Sequence, residues 1–256
     1  SCVQAEDGTL VAVWQQDVEG GRDIRCARFN AEWLLQKEPE PEAVVILFGD
    51  STTALREGVR VFEARLRENF PTIKFINAGI GSNTTDMARE RFERDVLAPT
   101  PDAVTIFFGL NDAAVDVWRG MTEPRVPVER YEENLRYFVR ELRDKGALPI
   151  LLTPNPLAWT EELIALYGKA PYDTASDAGF NILLAPYVEA ARRIAKEEDA
   201  ILIDVNRMYT DHAAAPGHSL HDWLLDGMHP NSAAHEEIAA EIAALINTLL
   251  SAKGKL

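Results

Sequence analysis

From residue 43 onward the chain alternates short apolar runs with longer amphipathic stretches. Val44 to Phe48 is apolar at every position and of strand length, and Ile73–Ile76, Ala103–Phe108, Leu148–Leu152 and Ala200–Asp204 read as four further strands. Pro149, near the start of its run, is tolerable there. Between the strands, Val59, Phe62, Leu66 and Phe70 recur at helical spacing and stop at Pro71. Tyr131, Leu135, Phe138 and Leu142 form a second such stripe, ended by Gly146. Helices are also expected over 85–97, 177–196 and 232–250. Apolar strands separated by amphipathic helices specify an α/β domain whose parallel sheet is covered on both faces. Such sheets bind ligands where loops leave the carboxyl ends of the strands, so chemistry is expected there.

Residues 1–42 follow a different pattern. Thr9–Trp14 and Asp23–Phe29 are strand-like around Glu19-Gly20-Gly21, which suits a hairpin turn. Residues 36–42 form a charged, proline-containing linker. The expected division is therefore a hairpin extension over 1–42 and a main domain over 43–256. The stretch from Asp7 to Arg25 loosely resembles part of a sialidase-type β-propeller blade. A hairpin is marginal alone in water, so this one is expected to serve as a docked appendage or a self-association contact.

Composition narrows the field. With 46% hydrophobic residues among 256, the chain is not an intrinsically disordered one. Lys and Arg total 26 against 41 Asp and Glu, a net charge of −15, which lacks the basic footprint of a nucleic-acid binder. No apolar run approaches the roughly 20 residues of a membrane span. No basic segment followed by an apolar stretch opens the chain, which favours a cytoplasmic location; a leader removed before Ser1 would make the protein a secreted one. Cys2 and Cys26 make neither a disulfide framework nor a zinc cluster, and a single bridge between them is left open.

The expected strand ends carry distinctive residues. The first runs into Gly49-Asp50-Ser51, the second into Asn77 to Thr85 with Gly79 and Gly81, and the third into Gly109-Leu110-Asn111-Asp112. Asp226 and His229 follow the fifth strand, three positions apart on a turn. A serine hydroxyl becomes a nucleophile when a base lies within hydrogen-bond reach and an acid orients that base. The Asp226 carboxylate can reach the His229 imidazole locally, leaving the other ring nitrogen for Ser51. A tetrahedral intermediate also needs donors for its oxyanion; Asn111 and the backbone N–H groups at Ser51 and around Gly81–Ser82 are candidates. Singly, each piece has a plainer reading. Ser51 could cap a helix, Asn111-Asp112 could be a turn, and Asp226 and His229 could cap the last helix with Pro230 opening it.

Together and in this order, the blocks resemble those of the SGNH hydrolases, the GDSL family of esterases and lipases, over about residues 43–250. Gly49-Asp50-Ser51 matches the first block, with Thr52 where the family often has Leu. Gly109 to Asp112 matches Gly-x-Asn-Asp, and Asp226 to Pro230 matches Asp-x-x-His-Pro. The resemblance implies a three-layer α/β/α sandwich with a five-stranded, flavodoxin-like parallel sheet. It implies Ser51 as nucleophile, His229 as base, Asp226 as its orienter, and an oxyanion hole from Ser51, Ser82 and Asn111. One block departs from the pattern: Asn-x-Gly-x-x-Gly is met by Asn77 and Gly79 but ends at Ser82. A backbone N–H survives there, while the added Cβ narrows the pocket or demands a different φ. Gly81 is the neighbouring alternative donor. The implied activity is hydrolysis of a small-molecule ester, with short acyl and especially acetyl esters as default substrates, carbohydrate acetates among them, and no cofactor or metal. Lysophospholipase or thioesterase activity is the alternative within this chemistry.

Other signals are weaker. Gly217-His218-Ser219 starts like a nucleophile elbow but ends on His221. Gly79-x-Gly81 has Thr84 where a dinucleotide fingerprint needs glycine, and His235-Glu236 has Ala239 where a zinc-protease helix needs its second histidine. His212, His218, His221, Asp222, Asp226 and His229 crowd one stretch, as a polar loop rimming a pocket or as metal ligands. Were a metal to claim Asp226 and His229, Ser51 would lose its base. A metal-dependent hydrolase and a non-catalytic binding module are thus the competing classes. Residues 113–127 with Trp118, and 154–176 with Trp159, Tyr167 and Tyr172, are expected either to shape substrate choice or to form a small satellite core.

Overall fold

A computed structural model describes residues 2–4, 9–18, 21–29 and 40–252. Two compact units are present, Ser1–Glu40 and Pro41–Leu256. In the first, β1 (Cys2–Gln4), β2 (Leu10–Val18) and β3 (Gly21–Phe29) form an antiparallel sheet in the order β1-β2-β3. The expected hairpin thus gains a third, short strand, because Cys2–Gln4 pairs with Leu10–Ala12. The turn at Glu19-Gly20 and linker residues 36–39 lie outside the described residues. Cys26 is a free, exposed thiol.

The second unit is built on β4 (Ala43–Gly49), β5 (Ile73–Gly79), β6 (Ala103–Phe107), β7 (Leu148–Leu152) and β8 (Ile201–Ile203). All pair in parallel, in the order β5-β4-β6-β7-β8. Strand β4 shows why both faces must be covered. Its Ile46 and Phe48 enter one core with α2 (Thr85–Phe92), α4 (Val128–Asp144) and α7 (Ala185–Glu197). Its Val45 and Leu47 enter the other with α1 (Phe62–Asn69), α8 (Val205–Ala214) and α9 (Ser232–Ala252). Successive side chains of a strand point to opposite faces, so an apolar run needs two helical layers. The chain leaves β4 to one side for β5 and returns to the other side for β6. That reversal opens a crevice at the carboxyl ends of β4 and β6, as expected of a doubly wound sheet.

Three departures from the expected elements stand out. The helix expected over 85–97 continues past α2 as a π-helical stretch, Glu93–Leu97. The helix expected over 177–196 is two, α6 (Asp177–Asn181) and α7, with turns at 182–184 between them. Pro186, in the first turn of α7, is the reason: inside a continuous helix its ring would strike the carbonyl of residue 182 and leave a hydrogen bond unmade. Pro230 does not open the last helix; Asn231 precedes it and accepts from the backbone N–H groups of Ala233 (3.0 Å) and Ala234 (3.1 Å). The short helices α3 (Leu110–Ala113) and α5 (Glu161–Tyr167), and α8, were not foreseen.

Candidate active site

Each strand end is fastened before it presents a functional group. After β4 the backbone turns over residues 51–53, with Thr53 and Ala54 donating to the Asp50 carbonyl. The buried Asp50 carboxylate caps this turn, accepting from the Thr52 N–H and hydroxyl at 2.8 Å each. Capping therefore falls to Asp50, and the Ser51 hydroxyl is left for another partner. Asn77 braces the neighbouring loop: its amide donates to the Thr53 carbonyl and to Glu63, each at 2.8 Å, and its oxygen accepts from Gly79 N–H at 2.9 Å. Glycine is required at 79 because a Cβ there would lie 2.4 Å from the Ala54 nitrogen.

Arg91, on the sheet-facing side of α2, ties these ends together. Its guanidinium donates to the carbonyls of Gly49 (3.1 Å) and Ala78 (2.8 Å) and to Asn83 (2.8 Å), and lies over the Phe48 ring. Two main-chain carbonyls and the Asn83 side chain thus share one buried cation near Ser51, which pairs with Asp95 at 3.1 Å. Sequence reasoning missed this residue. Its only signal was a charged side chain beside Ala88 and Phe92 on an otherwise apolar helix face.

Asp226 and His229 sit on a narrow loop closed by a bridge between Leu224 and Pro230 and by the Leu225 N–H donating to the His229 carbonyl at 2.8 Å. Asn155, just beyond β7, donates to the Met228 carbonyl at 2.9 Å, and Ala158 N–H donates to the Gly227 carbonyl at 2.8 Å. Gly227 has φ +82°, and a Cβ there would meet the Ala158 carbonyl oxygen at 2.4 Å. Only glycine fits that close approach in a left-handed conformation. The Asp226 carboxylate accepts backbone N–H groups from Met228 (3.1 Å) and His229 (2.9 Å) and lies 2.7 Å from His229 Nδ1. Partial burial opposes ionisation of Asp226, but the His229 side chain and these N–H groups outweigh it and hold the carboxyl far below its ordinary range. Arg56 adds a contact at 3.3 Å from the carboxylate.

The other imidazole nitrogen, His229 Nε2, lies 3.0 Å from Ser51 Oγ. Hydroxyl, ring and carboxylate therefore form one hydrogen-bonded chain across segments 178 residues apart. Asn111, in α3 beyond β6, faces the same point. Its amide nitrogen donates to Asp50 at 3.1 Å, and its oxygen accepts from Arg125 at 2.9 Å. Arg125 is itself held by Asp116 through two hydrogen bonds of 2.8 and 3.1 Å. With its oxygen occupied by a guanidinium, the Asn111 side chain has one orientation, and its second amide N–H remains for a ligand. Burial pushes the Asp50 carboxyl above its ordinary range against the hydrogen bonds from Thr52 and Asn111. Burial also raises Asp112 to about 7, although Thr85 donates to it.

Ser82 occupies a left-handed conformation, φ +63°, at the position where the family pattern has glycine. A side chain held in that conformation costs on the order of 1–3 kcal/mol. Ser51, Ser82, Asn111 and His229 all line one cavity of about 360 Å³ with Arg56 and Arg125. Gly81 is not among its lining residues. The remaining wall is apolar: Leu110, Ala113, Ala114, Leu157, Met228 and the satellite cluster that includes Tyr167, Tyr172 and Phe180. Of the two expectations for the aromatic loops, the satellite core is present, and its Tyr167 and Tyr172 also face the cavity. Trp159 packs on the same cluster, stacked on Phe180 (centroids 3.8 Å apart), without lining the cavity, and Trp118 is exposed beneath Arg119.

The histidine-rich stretch does not rim this cavity as a whole. His229 alone of the six residues lines it, because the 3₁₀ turn Leu220–Asp222 gathers His212 and His218 around Asp222. His235 is buried against Phe62, and burial lowers it to about 4, which keeps the ring neutral.

Comparison with known proteins agrees with this architecture. The model of the GDSL-like lipase/acylhydrolase family matches residues 47–237. An acetylxylan esterase of Geobacillus stearothermophilus is 28% identical over 172 residues, covering 65% of this chain and 69% of that protein. An isoamyl acetate-hydrolyzing esterase 1 homolog of Bos taurus is 30% identical over 220 residues, 81% of this chain and 82% of the relative. The crystal structure of a lipase/acylhydrolase from Enterococcus faecalis superposes with a TM-score of 0.62 at 27% identity, covering 80% of this chain and 95% of the other. The chain belongs to the GDSL-like lipase/acylhydrolase family and is a carboxylic ester hydrolase of the SGNH type.

Proposed function

We propose that the protein hydrolyses short-chain acyl esters, acetyl esters foremost, through an acyl-enzyme on Ser51. The observation that carries this reading is the hydrogen-bonded chain from Ser51 through His229 to Asp226 at the floor of a small, partly apolar cavity. Ser51 Oγ attacks the ester carbonyl carbon while His229 Nε2 takes its proton. Asp226 keeps Nδ1 protonated and balances the imidazolium. The carbonyl oxygen, now an oxyanion, is met by the free Asn111 N–H and by backbone N–H groups at Ser51 and Ser82. His229 returns the proton to the departing alcohol. Water, deprotonated by the same ring, then attacks the acyl carbon and releases the acid.

Cavity size supports the short-acyl assignment. About 360 Å³ lies at the small end of ligand pockets, which run about 300–1,000 Å³. The relatives named for acetylxylan and isoamyl acetate both act on acetyl esters by their names, one with a carbohydrate alcohol and one with a branched alkyl alcohol. A panel of p-nitrophenyl esters from acetate to palmitate, together with acetylated xylo-oligosaccharides, tests the assignment by kcat/KM. Acetate to butyrate should dominate. A maximum at long chains would instead mark a lysophospholipase-like enzyme and overturn the reading.

Asn111→Ala tests the oxyanion role. Removal of one such donor should lower kcat by about 10²–10³ with little change in KM. Unchanged kcat would take Asn111 out of the site.

A further inference from the structure

Outside the cavity, three side chains converge on the surface without a role in ester hydrolysis. His212 lies in the last turn of α8, His218 in the loop that follows, and Asp222 in the 3₁₀ turn beyond. His212 Nε2 and His218 Nδ1 approach the same carboxylate oxygen, at 3.1 and 3.2 Å. All three atoms lie within 4.8 Å of one another. None of the three residues lines the catalytic cavity.

The geometry points to a metal site: we propose that His212, His218 and Asp222 bind a borderline divalent ion of the Zn²⁺ type. Two imidazoles and a carboxylate are a donor set that suits zinc. Ligand atoms around a tetrahedral zinc, each bonded at about 2.0–2.2 Å, lie about 3.3–3.5 Å apart. The two nitrogen–oxygen separations here are already close to that value, so an ion could enter with a shift of a few tenths of an ångström along those edges. The ligands are also held from behind. Ser219 donates to both Asp222 oxygens, by its N–H at 3.0 Å and its hydroxyl at 3.1 Å. The His212 ring stacks on Trp223, with centroids 4.2 Å apart and planes at 15°. Such outer contacts fix ligand orientation before an ion arrives. His218 and Asp222 are about half exposed, which leaves room for water on the remaining coordination positions.

The ion would act as a staple. It would join the end of α8 to the turn that leads into Trp223 and the loop bearing Asp226 and His229; the Asp222 carbonyl also accepts from Asn231, which caps α9. Stability should respond to it and the chemical step should not.

Titration of the untagged full chain with ZnCl₂ by calorimetry tests the proposal. One equivalent should bind in the wild type and equally in His229→Ala, which removes the catalytic imidazole as a competing ligand. His218→Ala, a change at an exposed ring, should weaken binding at least tenfold. Free zinc at a hundredfold excess over its Kd should raise Tm by roughly 5–10 °C in the wild type and not in His218→Ala. Chelation should reverse that rise while leaving kcat unchanged. Absence of saturable binding, binding indifferent to His218→Ala, or binding lost in His229→Ala would each overturn the assignment.

Discussion

Ser51→Ala is expected to abolish turnover of p-nitrophenyl acetate, lowering kcat by about 10⁴-fold or more. That factor corresponds to about 5 kcal/mol or more of lost transition-state stabilisation, as expected when the attacking atom itself is removed. The fold should survive, because the Ser51 hydroxyl has His229 as its hydrogen-bond partner while the turn around it is capped by Asp50. An unchanged Tm beside lost activity would separate chemistry from folding. A fluorophosphonate probe should label the wild type stoichiometrically and leave the variant unlabelled. A variant that keeps a tenth of the wild-type rate, or that takes the label elsewhere, would dethrone Ser51 as nucleophile.

Asp226→Asn should be nearly as damaging, about 10⁴-fold in kcat, although it changes neither size nor shape. The reason lies in what surrounds the carboxylate. One oxygen accepts two backbone N–H groups and the other faces His229 Nδ1 and Arg56. An asparagine must turn its amide nitrogen toward one of these. Facing His229, it donates to Nδ1, moves the ring proton to Nε2 and blocks acceptance of the serine proton. Facing the backbone, it sets donors against donors. Either orientation disarms the base. Retention of activity within tenfold of the wild type would show that the ring is oriented by something else. Steady-state kinetics on the same acetate ester, with Tm as a control, is sufficient.

Much of the fold could be read from hydrophobic patterning because the central strands are apolar on both faces and helices of 3.6-residue period lie between them. The site was legible for a related reason. Chemistry in a doubly wound sheet collects at carboxyl ends of strands, so Ser51 and Asn111 announced themselves by position as well as type. The Asp226–His229 pair does not sit at the end of β8, because α8 and the 3₁₀ turn intervene, and only its residue types and spacing marked it. What escaped was whatever depends on contacts distant in sequence. Nothing near Arg91 says that its guanidinium will meet the Gly49 carbonyl, and nothing near Asn155 predicts a hydrogen bond to Met228. Arg125 likewise reads as a loop charge until the fold brings it against Asn111. The break between α6 and α7 is a different kind of miss, since Pro186 carried the signal in plain sight. At Ser82 the departure from glycine raised a question that only φ answers: the backbone is left-handed there in spite of the side chain.

The loop from Leu224 to Pro230 carries both the proton acceptor and the group that keeps it in the right tautomer. Acid and base cannot therefore drift apart; displacement of this cassette withdraws them together from the serine. Partial opening should cost turnover in proportion to the population that has swung away, with the surviving molecules working at full speed. Damage at the anchors, Asn155 or Gly227, would then show up as fewer competent enzymes rather than slower ones, a difference that counting active sites by burst titration can read.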